Sequence, residues 1–188
     1  MAAAVAGVLG TLGAALLTQR RADQTKRMEL QALASAQREE RQYTEQMRRA
    51  ELAEAARREL IDLRRACYIG FNTAARQYQT AQVNLMHALR SSTDADECRE
   101  QLEARRLAHR DSYAEAQMIL PPGVFSAARD VNQQLNAIYG RLIRLHGQPG
   151  TSERELVAFE ADIEVSWALL SQLRHAMRHD LGVDQASI

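Results

Sequence analysis

The chain opens with an uncharged, largely apolar segment and then becomes charged within a few residues. Residues 1–19 contain no ionisable side chain, and Arg20, Arg21, Lys26 and Arg27 follow directly. A helix of about 18 residues spans ~27 Å, close to the ~30 Å of a bilayer hydrocarbon core. We therefore predict a transmembrane helix over residues 1–19, with Arg20 and Arg21 setting its depth. The apolar residues that would hold this span are Leu9, Leu12, Leu16 and Leu17.

The basic flank predicts the orientation of this span. Lys and Arg next to a membrane helix favour the cytoplasmic side, so the N-terminus is expected outside and the chain from Arg20 onward in the cytoplasm. A cleaved signal peptide would instead carry basic residues before the apolar stretch. A buried or interfacial helix without a membrane span is the other alternative. The favoured interpretation is a single-pass membrane protein.

Small residues recur at every fourth position of the apolar segment. Ala6, Gly10 and Ala14 share one helix face, and Ala3, Gly7 and Thr11 share the next. This spacing lets membrane helices approach closely, so the first face is a candidate for helix association. Chance spacing in a segment rich in Ala and Gly is the alternative.

Residues 20–50 predict a charged helical stalk. No Gly or Pro occurs between Ala14 and Ile69, and the composition is dominated by good helix formers. The apolar positions form only a thin seam, interrupted by Glu40, so the stalk is either a solvated single helix or a weak coiled coil. The seam residues are Leu33, Ala36, Tyr43, Met47 and Ala50.

Residues 51–188 predict a helical bundle, because wider apolar stripes recur there at spacings of three and four. The first stripe comprises Leu52, Ala56, Leu60, Leu63, Cys67, Phe71, Ala74, Tyr78, Ala81, Leu85 and Ala88. The second comprises Cys98, Leu102, His109, Tyr113 and Ala116. The third comprises Val124, Ala128, Val131, Leu135, Ile138, Leu142 and Leu145. The fourth comprises Leu156, Phe159, Ile163, Trp167, Leu170, Leu173 and Met177.

Turn residues separate these stripes. The segment 121–123 is Pro-Pro-Gly, residues 147–150 contain two Gly and a Pro, and Ser152 with Glu155 has capping-box spacing. Gly182 suits the end of the last helix. Short connections favour antiparallel neighbours, and no alternating apolar and polar run indicates a strand. The predicted fold class is all-α: a transmembrane helix, a stalk and an antiparallel up-down four-helix bundle.

Charge and cysteine content narrow the expected partners. The chain carries 24 basic and 24 acidic residues, with the basic excess between Arg20 and Arg65 and the acidic excess after it. The basic part favours anionic membrane lipid, and the acidic part argues against nucleic acid as a ligand. Cys67 and Cys98 occupy apolar helical positions and are expected to be free thiols in the core.

Candidate catalytic and metal-binding residues are few. His175 and His179 share a helix face and could form half of a zinc site, although an exposed pair without further ligands is favoured. No histidine follows a glutamate by three residues, which argues against a di-iron bundle. Nucleotide-loop, serine-hydrolase and zinc-protease motifs are also lacking. We expect a non-enzymatic protein without metal or cofactor. One further polar run, Asn132, Gln133, Gln134 and Asn136, is either solvated surface or a partner-binding face.

Two segments resemble small actinobacterial membrane proteins. These are VLGTLGAALLTQRRADQTKR at residues 8–27 and RRACYIGFNTAARQY at residues 64–78. The resemblance implies one N-terminal span, a basic flank and a cytoplasmic helical region. It implies no activity and assigns no functional residues.

The sequence favours a membrane-anchored helical scaffold that self-associates and presents its bundle to an unidentified protein partner. A second hypothesis is a membrane-perturbing effector whose small-residue span oligomerises. A third is a small-molecule sensor with a pocket inside the bundle.

Overall fold

The computed structural model describes residues 2–91, 95–147 and 153–183, except for the side chains of residues 2–18, Ala22, Glu153 and Leu156. The described chain consists of four α-helices: α1 (Ala2–Ser91), α2 (Ala95–Ile119), α3 (Pro122–His146) and α4 (Glu153–Asp180). The described ranges contain no strand, so the all-α prediction is confirmed.

The chain divides into two compact units, Met1–Arg57 and Arg58–Ile188. In the first unit, nearly every described side chain is exposed. Its helix is supported by composition, by the near absence of breakers and by local contacts such as the 3.5 Å ion pair between Arg49 and Glu45. In a single chain, this segment is therefore a solvated helix. The alternative, a coiled coil, would require a second copy of the chain.

In the described part of the chain, no helix is both long and apolar enough to cross a bilayer. The transmembrane part of the predicted fold is therefore not supported by the structure. The backbone of the predicted span is helical and belongs to α1, but the side chains of residues 2–18 lie outside the described set. The membrane span consequently stays a prediction.

The second unit is a four-helix bundle in which successive helices run antiparallel. Along α1 and α4, Tyr68 is bonded to Asp180 at one end and Arg90 to Glu160 at the other, so the residue numbers run in opposite directions. Contacting residue pairs show that α1 and α2, α2 and α3, and α3 and α4 are also antiparallel. The pairs that show it are Phe71–Tyr113 and Gln77–Arg105, Tyr113–Phe125 and Asp96–His146, and Gln134–Asp162 and Arg141–Ala158. This is the up-down arrangement expected from short connections.

The bundle core follows the predicted stripes most closely in α3. All seven stripe residues of α3 are buried, and Leu135, Ile138 and Leu142 are fully enclosed. Burial of each such aliphatic side chain stabilises the fold by ~1.5–3 kcal/mol. The strong, regular stripe of α3 thus defines the centre of the core.

The first stripe begins later than predicted. Leu52, Leu60 and Leu63 are 61%, 45% and 49% exposed, and continuous burial starts at Cys67 and Tyr68. The reason is that the last residue of α4, Asp180, bonds to Tyr68. Leu60 and Leu63 therefore lie beyond the end of α4, which does not cover them.

Trp167 is not the core residue that the fourth stripe predicts. Its side chain is 44% exposed and lies against Arg76, whose guanidinium carbon is 5.8 Å from the ring centroid. The neighbouring Ser166 is buried instead, because it accepts a hydrogen bond from the buried amide of Gln79. The other described members of the stripe are buried: Phe159, Ile163, Leu170, Leu173 and Met177. The side chain of Leu156 lies outside the described set.

The helix ends show the expected turn chemistry. Pro122 occupies the first turn of α3, where its missing N–H breaks no intrahelical bond. Gly182 follows α4 with φ of 70°, the left-handed conformation that favours glycine, so its predicted role as a stop is confirmed. The predicted capping box includes Ser152, which lies outside the described residues.

Candidate functional site

The residues predicted to contact the membrane fall mostly outside what the structure describes. This applies to the side chains of Leu9, Leu12, Leu16 and Leu17, and to the association face of Ala6, Gly10 and Ala14. Arg20 and Arg21 are described and are exposed, like nearly all described side chains of this segment. The structure neither joins these groups into a site nor separates them.

The histidine pair of α4 does not form a metal site with described residues. His175 and His179 are both exposed. Across residues 2–91, 95–147 and 153–183, no group of three or more His, Cys, Asp or Glu side chains is placed to hold an ion. Cys67 is buried and Cys98 half-buried, and both are free thiols. Burial and the nearby Glu115 carboxylate raise the pKa of the Cys67 thiol, which keeps it protonated and unreactive.

The most unusual group in the bundle is the imidazole of His109 on α2. It is 1% exposed and lies between two aromatic rings of α1. Its centroid is 5.3 Å from that of Phe71 and 5.3 Å from that of Tyr78, with interplanar angles of 26° and 28°. The ring of Tyr113, one turn further along α2, is 6.5 Å away and also nearly parallel. An aromatic stack therefore runs through the α1–α2 interface with a histidine in it.

His109 is polar and yet makes no well-formed hydrogen bond with any described residue. Neither Nδ1 nor Nε2 has a partner among the described residues. Burial lowers the pKa of His109 to about 4, and a hydrogen-bonding contact with the Asn132 side chain, which falls short of good hydrogen-bond geometry, opposes this shift more weakly. The imidazole is consequently neutral at pH 7, with one nitrogen able to donate and the other to accept. A buried polar group without partners costs the fold ~1–3 kcal/mol.

A charged network borders this histidine. Glu103 accepts hydrogen bonds from Tyr139 at 2.7 Å and from Arg106 at 2.7 Å, and these bonds lower the pKa of its carboxyl group. The guanidinium of Arg106 also lies over the Tyr139 ring, 4.5 Å from its centroid. This network links α2 to α3 and neutralises much of the Arg106 charge.

A cavity of about 310 Å³ opens between α2 and α3 at this point. Its lining residues are Arg106, His109, Arg110, Tyr113, Asn132 and Asn136. The lining holds two cations and two amides but no carboxylate. Asn136 donates a 3.1 Å hydrogen bond to the side-chain oxygen of Asn132, which fixes one wall.

The polar run of α3 is thereby divided between two environments. Asn132 and Asn136 line the cavity, whereas Gln134 donates a 3.1 Å hydrogen bond to the main-chain oxygen of Asp162 on α4. Gln133 is exposed. The run is therefore not one continuous surface for a partner, and only its cavity side joins other candidate functional residues.

The sequence placed His109 in an apolar stripe, which is a detectable signal for a buried histidine. It gave no comparable signal for Gln79 and Gln82, which are buried at 1% and 0% exposure. Gln82 donates a 2.7 Å hydrogen bond to the main-chain oxygen of Leu135, across the bundle from α1 to α3. These two amides are structural, since their N–H groups are used inside the fold.

In the first unit, the apolar seam is present but uncovered. Leu33, Tyr43 and Met47 are 62%, 65% and 46% exposed. Leu33 precedes Tyr43 by ten residues and Met47 follows it by four, so all three lie on one side of the helix. This seam is the second candidate functional feature, since exposed apolar rows on a helix commonly meet a partner helix.

No family model, curated protein or solved structure matches this chain.

Proposed function

We propose that this protein is a non-enzymatic, single-pass membrane scaffold that holds its four-helix bundle in the cytoplasm for a protein partner. One observation carries the proposal: a single helix, α1, includes both the apolar segment at residues 2–19 and core residues of the bundle such as Phe71 and Leu85. Anchoring the apolar segment would therefore anchor the bundle through one continuous backbone. The basic flank at Arg20 and Arg21 supports the cytoplasmic orientation.

The mechanism is tethering. A bundle held at a bilayer meets other membrane-bound proteins at a high effective concentration, so weak contacts suffice for association. The exposed α1 seam supports self-association, because a second copy anchored in the same membrane would present the same seam. Two copies in register would cover Leu33, Tyr43 and Met47, at the cost of placing two Glu40 side chains near each other. This charge is consistent with weak, membrane-dependent pairing.

Membrane fractionation of the tagged full-length protein tests the anchor. We expect recovery in an alkali-resistant membrane pellet, with the bundle protected from external protease in intact spheroplasts. Substituting Leu12→Arg and Leu16→Arg together should release the protein, because each arginine near a bilayer centre costs several kcal/mol. Leu30→Arg, at an exposed position of α1, is the matched control and should stay in the pellet. Recovery of the unmodified protein in the soluble fraction would overturn the proposal.

Cysteine cross-linking in membranes tests the seam. In a Cys98→Ser background, Ala36→Cys places a thiol on the seam and Ser35→Cys places one beside it, at an adjacent exposed position. Rapid oxidation to a disulfide-linked dimer is expected for position 36 only. Equal cross-linking at both positions, or none at either, would contradict pairing through the seam.

A further inference from the structure

We propose that the cavity between α2 and α3 is a binding site for a small organic carboxylate. The proposal is independent of the membrane anchor, because every residue it uses belongs to the bundle. The cavity is polar on one wall and aromatic on the other, and one of its lining groups is a buried histidine that lacks a well-formed hydrogen bond to any described residue. Three properties of the site point to the ligand class.

The first property is charge. Arg106 and Arg110 both line the cavity, and the lining includes no acidic residue. Arg106 is paired with Glu103, but Arg110 forms no ion pair with any residue in the described ranges. Roughly one positive charge is thus left uncompensated. One free guanidinium matches a monoanion, and its planar fork pairs with a carboxylate through two parallel hydrogen bonds.

The second property is the unpartnered imidazole. His109 is 1% exposed and lines the cavity, and within the described chain neither ring nitrogen makes a well-formed hydrogen bond, although the Asn132 side chain lies close enough to act on its pKa. A phenylalanine would keep the stack with Phe71 and Tyr78 without the cost of burying two polar atoms. The histidine is explained if a ligand in the cavity supplies a hydrogen-bonding group to one of its nitrogens.

The third property is the mixed character of the walls. Tyr113 and His109 contribute aromatic rings, while Asn132 and Asn136 contribute amide groups. Small-molecule sites combine apolar surface with a few placed polar groups in this way. A volume of about 310 Å³ suits a single-ring acid rather than a nucleotide or a peptide.

Benzoate and its neutral analogue benzamide form a matched pair of probes for the full-length protein in detergent. We expect benzoate to raise the melting temperature in a concentration-dependent way, and to shift the ring-nitrogen resonances of His109 in ¹⁵N-histidine-labelled protein. Benzamide should do neither, because it lacks the charge that Arg110 would bind. Benzamide binding as strong as that of benzoate would overturn the charge argument, and the absence of any benzoate effect would overturn the site.

Two substitutions separate this site from non-specific electrostatics. Arg110→Gln should weaken benzoate binding by about tenfold or more, the loss expected on removing one charge-assisted contact. Arg105 and Arg110 are both exposed on α2, but Arg105 lies outside the cavity. Arg105→Gln therefore removes the same charge from outside the site and should change binding by less than about twofold. Equal weakening by both variants, or inorganic phosphate competing as well as benzoate, would show general anion attraction and contradict the proposal.

His109→Phe tests the histidine itself. If the imidazole is retained for a ligand, the variant should melt higher than the parent protein without ligand and should lose the benzoate response. A variant that folds and binds benzoate with unchanged affinity would remove His109 from the site. If that variant fails to fold, the Arg110→Gln and Arg105→Gln comparison still decides the proposal.

Discussion

The hydroxyl of Tyr68 donates a 2.6 Å hydrogen bond to Oδ2 of Asp180. Tyr68 lies where α1 enters the bundle core, and Asp180 is the last residue of α4, so this bond joins the two helices at one end of the bundle. Arg64, one turn earlier on α1, lies 3.5 Å from the same carboxylate oxygen. Burial of Tyr68, and then its hydrogen bond to Asp180, raise the pKa of Tyr68, so the hydroxyl stays protonated and can donate.

Tyr68→Phe should lower the free energy of unfolding by about 1–2 kcal/mol. The substitution removes a partly buried hydrogen bond to a charged acceptor while keeping the ring, and Asp180 retains Arg64 as a partner. Urea denaturation measures the loss. Tyr43→Phe, at a 65% exposed position of the first unit, is the control and should change stability by less than about 0.5 kcal/mol. A neutral effect of Tyr68→Phe would mean that this bond does not hold the end of the bundle.

Leu135→Ala should destabilise the bundle by about 2–5 kcal/mol. Leu135 is fully buried at the centre of α3, so the truncation removes buried apolar surface and leaves a cavity in a close-packed core. Thermal and urea unfolding monitored by circular dichroism report the change. Leu107→Ala on α2 is the matched control, since that side chain is 48% exposed and should lose less than about 1 kcal/mol. Similar losses in the two variants would contradict the assigned core.

Burial can be predicted from the sequence more completely in α3 than in α1 and α4, for a physical reason. In α3 the apolar period alone decides burial, and every predicted core residue is buried. In α1 and α4, some polar side chains face the core. The buried Gln79 amide requires a hydrogen-bond acceptor, so Ser166 faces the core and Trp167 does not. Periodicity ranks residues by apolar character and cannot anticipate such a pair across two helices. The start of the α1 stripe was misplaced for a similar reason, because it depends on where α4 ends.

The candidate site, too, could be predicted from the sequence only in part. His109 was recognisable as a histidine within an apolar stripe, and Asn132 and Asn136 as part of a polar run. Their meeting at one cavity depends on the antiparallel register of α2 and α3, which short-range patterns do not specify. The register is set by contacts far apart in sequence, such as the bond between Tyr139 and Glu103.

The buried pair of Gln79 and Ser166 should behave as a unit. Ser166→Ala leaves the Gln79 amide without its hydrogen-bond acceptor, and its Oε1 atom already lacks a partner in the described chain, so a loss of about 1–3 kcal/mol is expected. Replacing both residues, with Gln79→Leu and Ser166→Ala, removes the unsatisfied groups together and should recover most of the loss. A double-mutant cycle from urea denaturation measures the coupling. Simple additivity of the two single effects would show that the bond contributes nothing specific.

His109 should make the bundle sensitive to acid. Burial lowers the pKa of its imidazole from 6.5 to about 4, so between these pH values the unfolded chain binds a proton that the folded chain does not. The free energy of unfolding should therefore fall as the pH drops below about 6.5. The fall from this group should reach about 2 kcal/mol at pH 5 and roughly 3 kcal/mol below pH 4. Stability measured by urea denaturation at pH 7 and at pH 5 gives the slope.

His109→Phe isolates this contribution, because the variant keeps every carboxylate and the other four histidines. The stability difference between the variant and the parent protein should widen by about 2 kcal/mol from pH 7 to pH 5. Arg110→Gln, which alters the cavity but not the histidine, should parallel the parent protein closely. If parent and His109→Phe instead lose stability in parallel, the imidazole is charged inside the fold or readily reached by water. Its neutral, unpartnered state, on which the carboxylate site depends, would then be wrong.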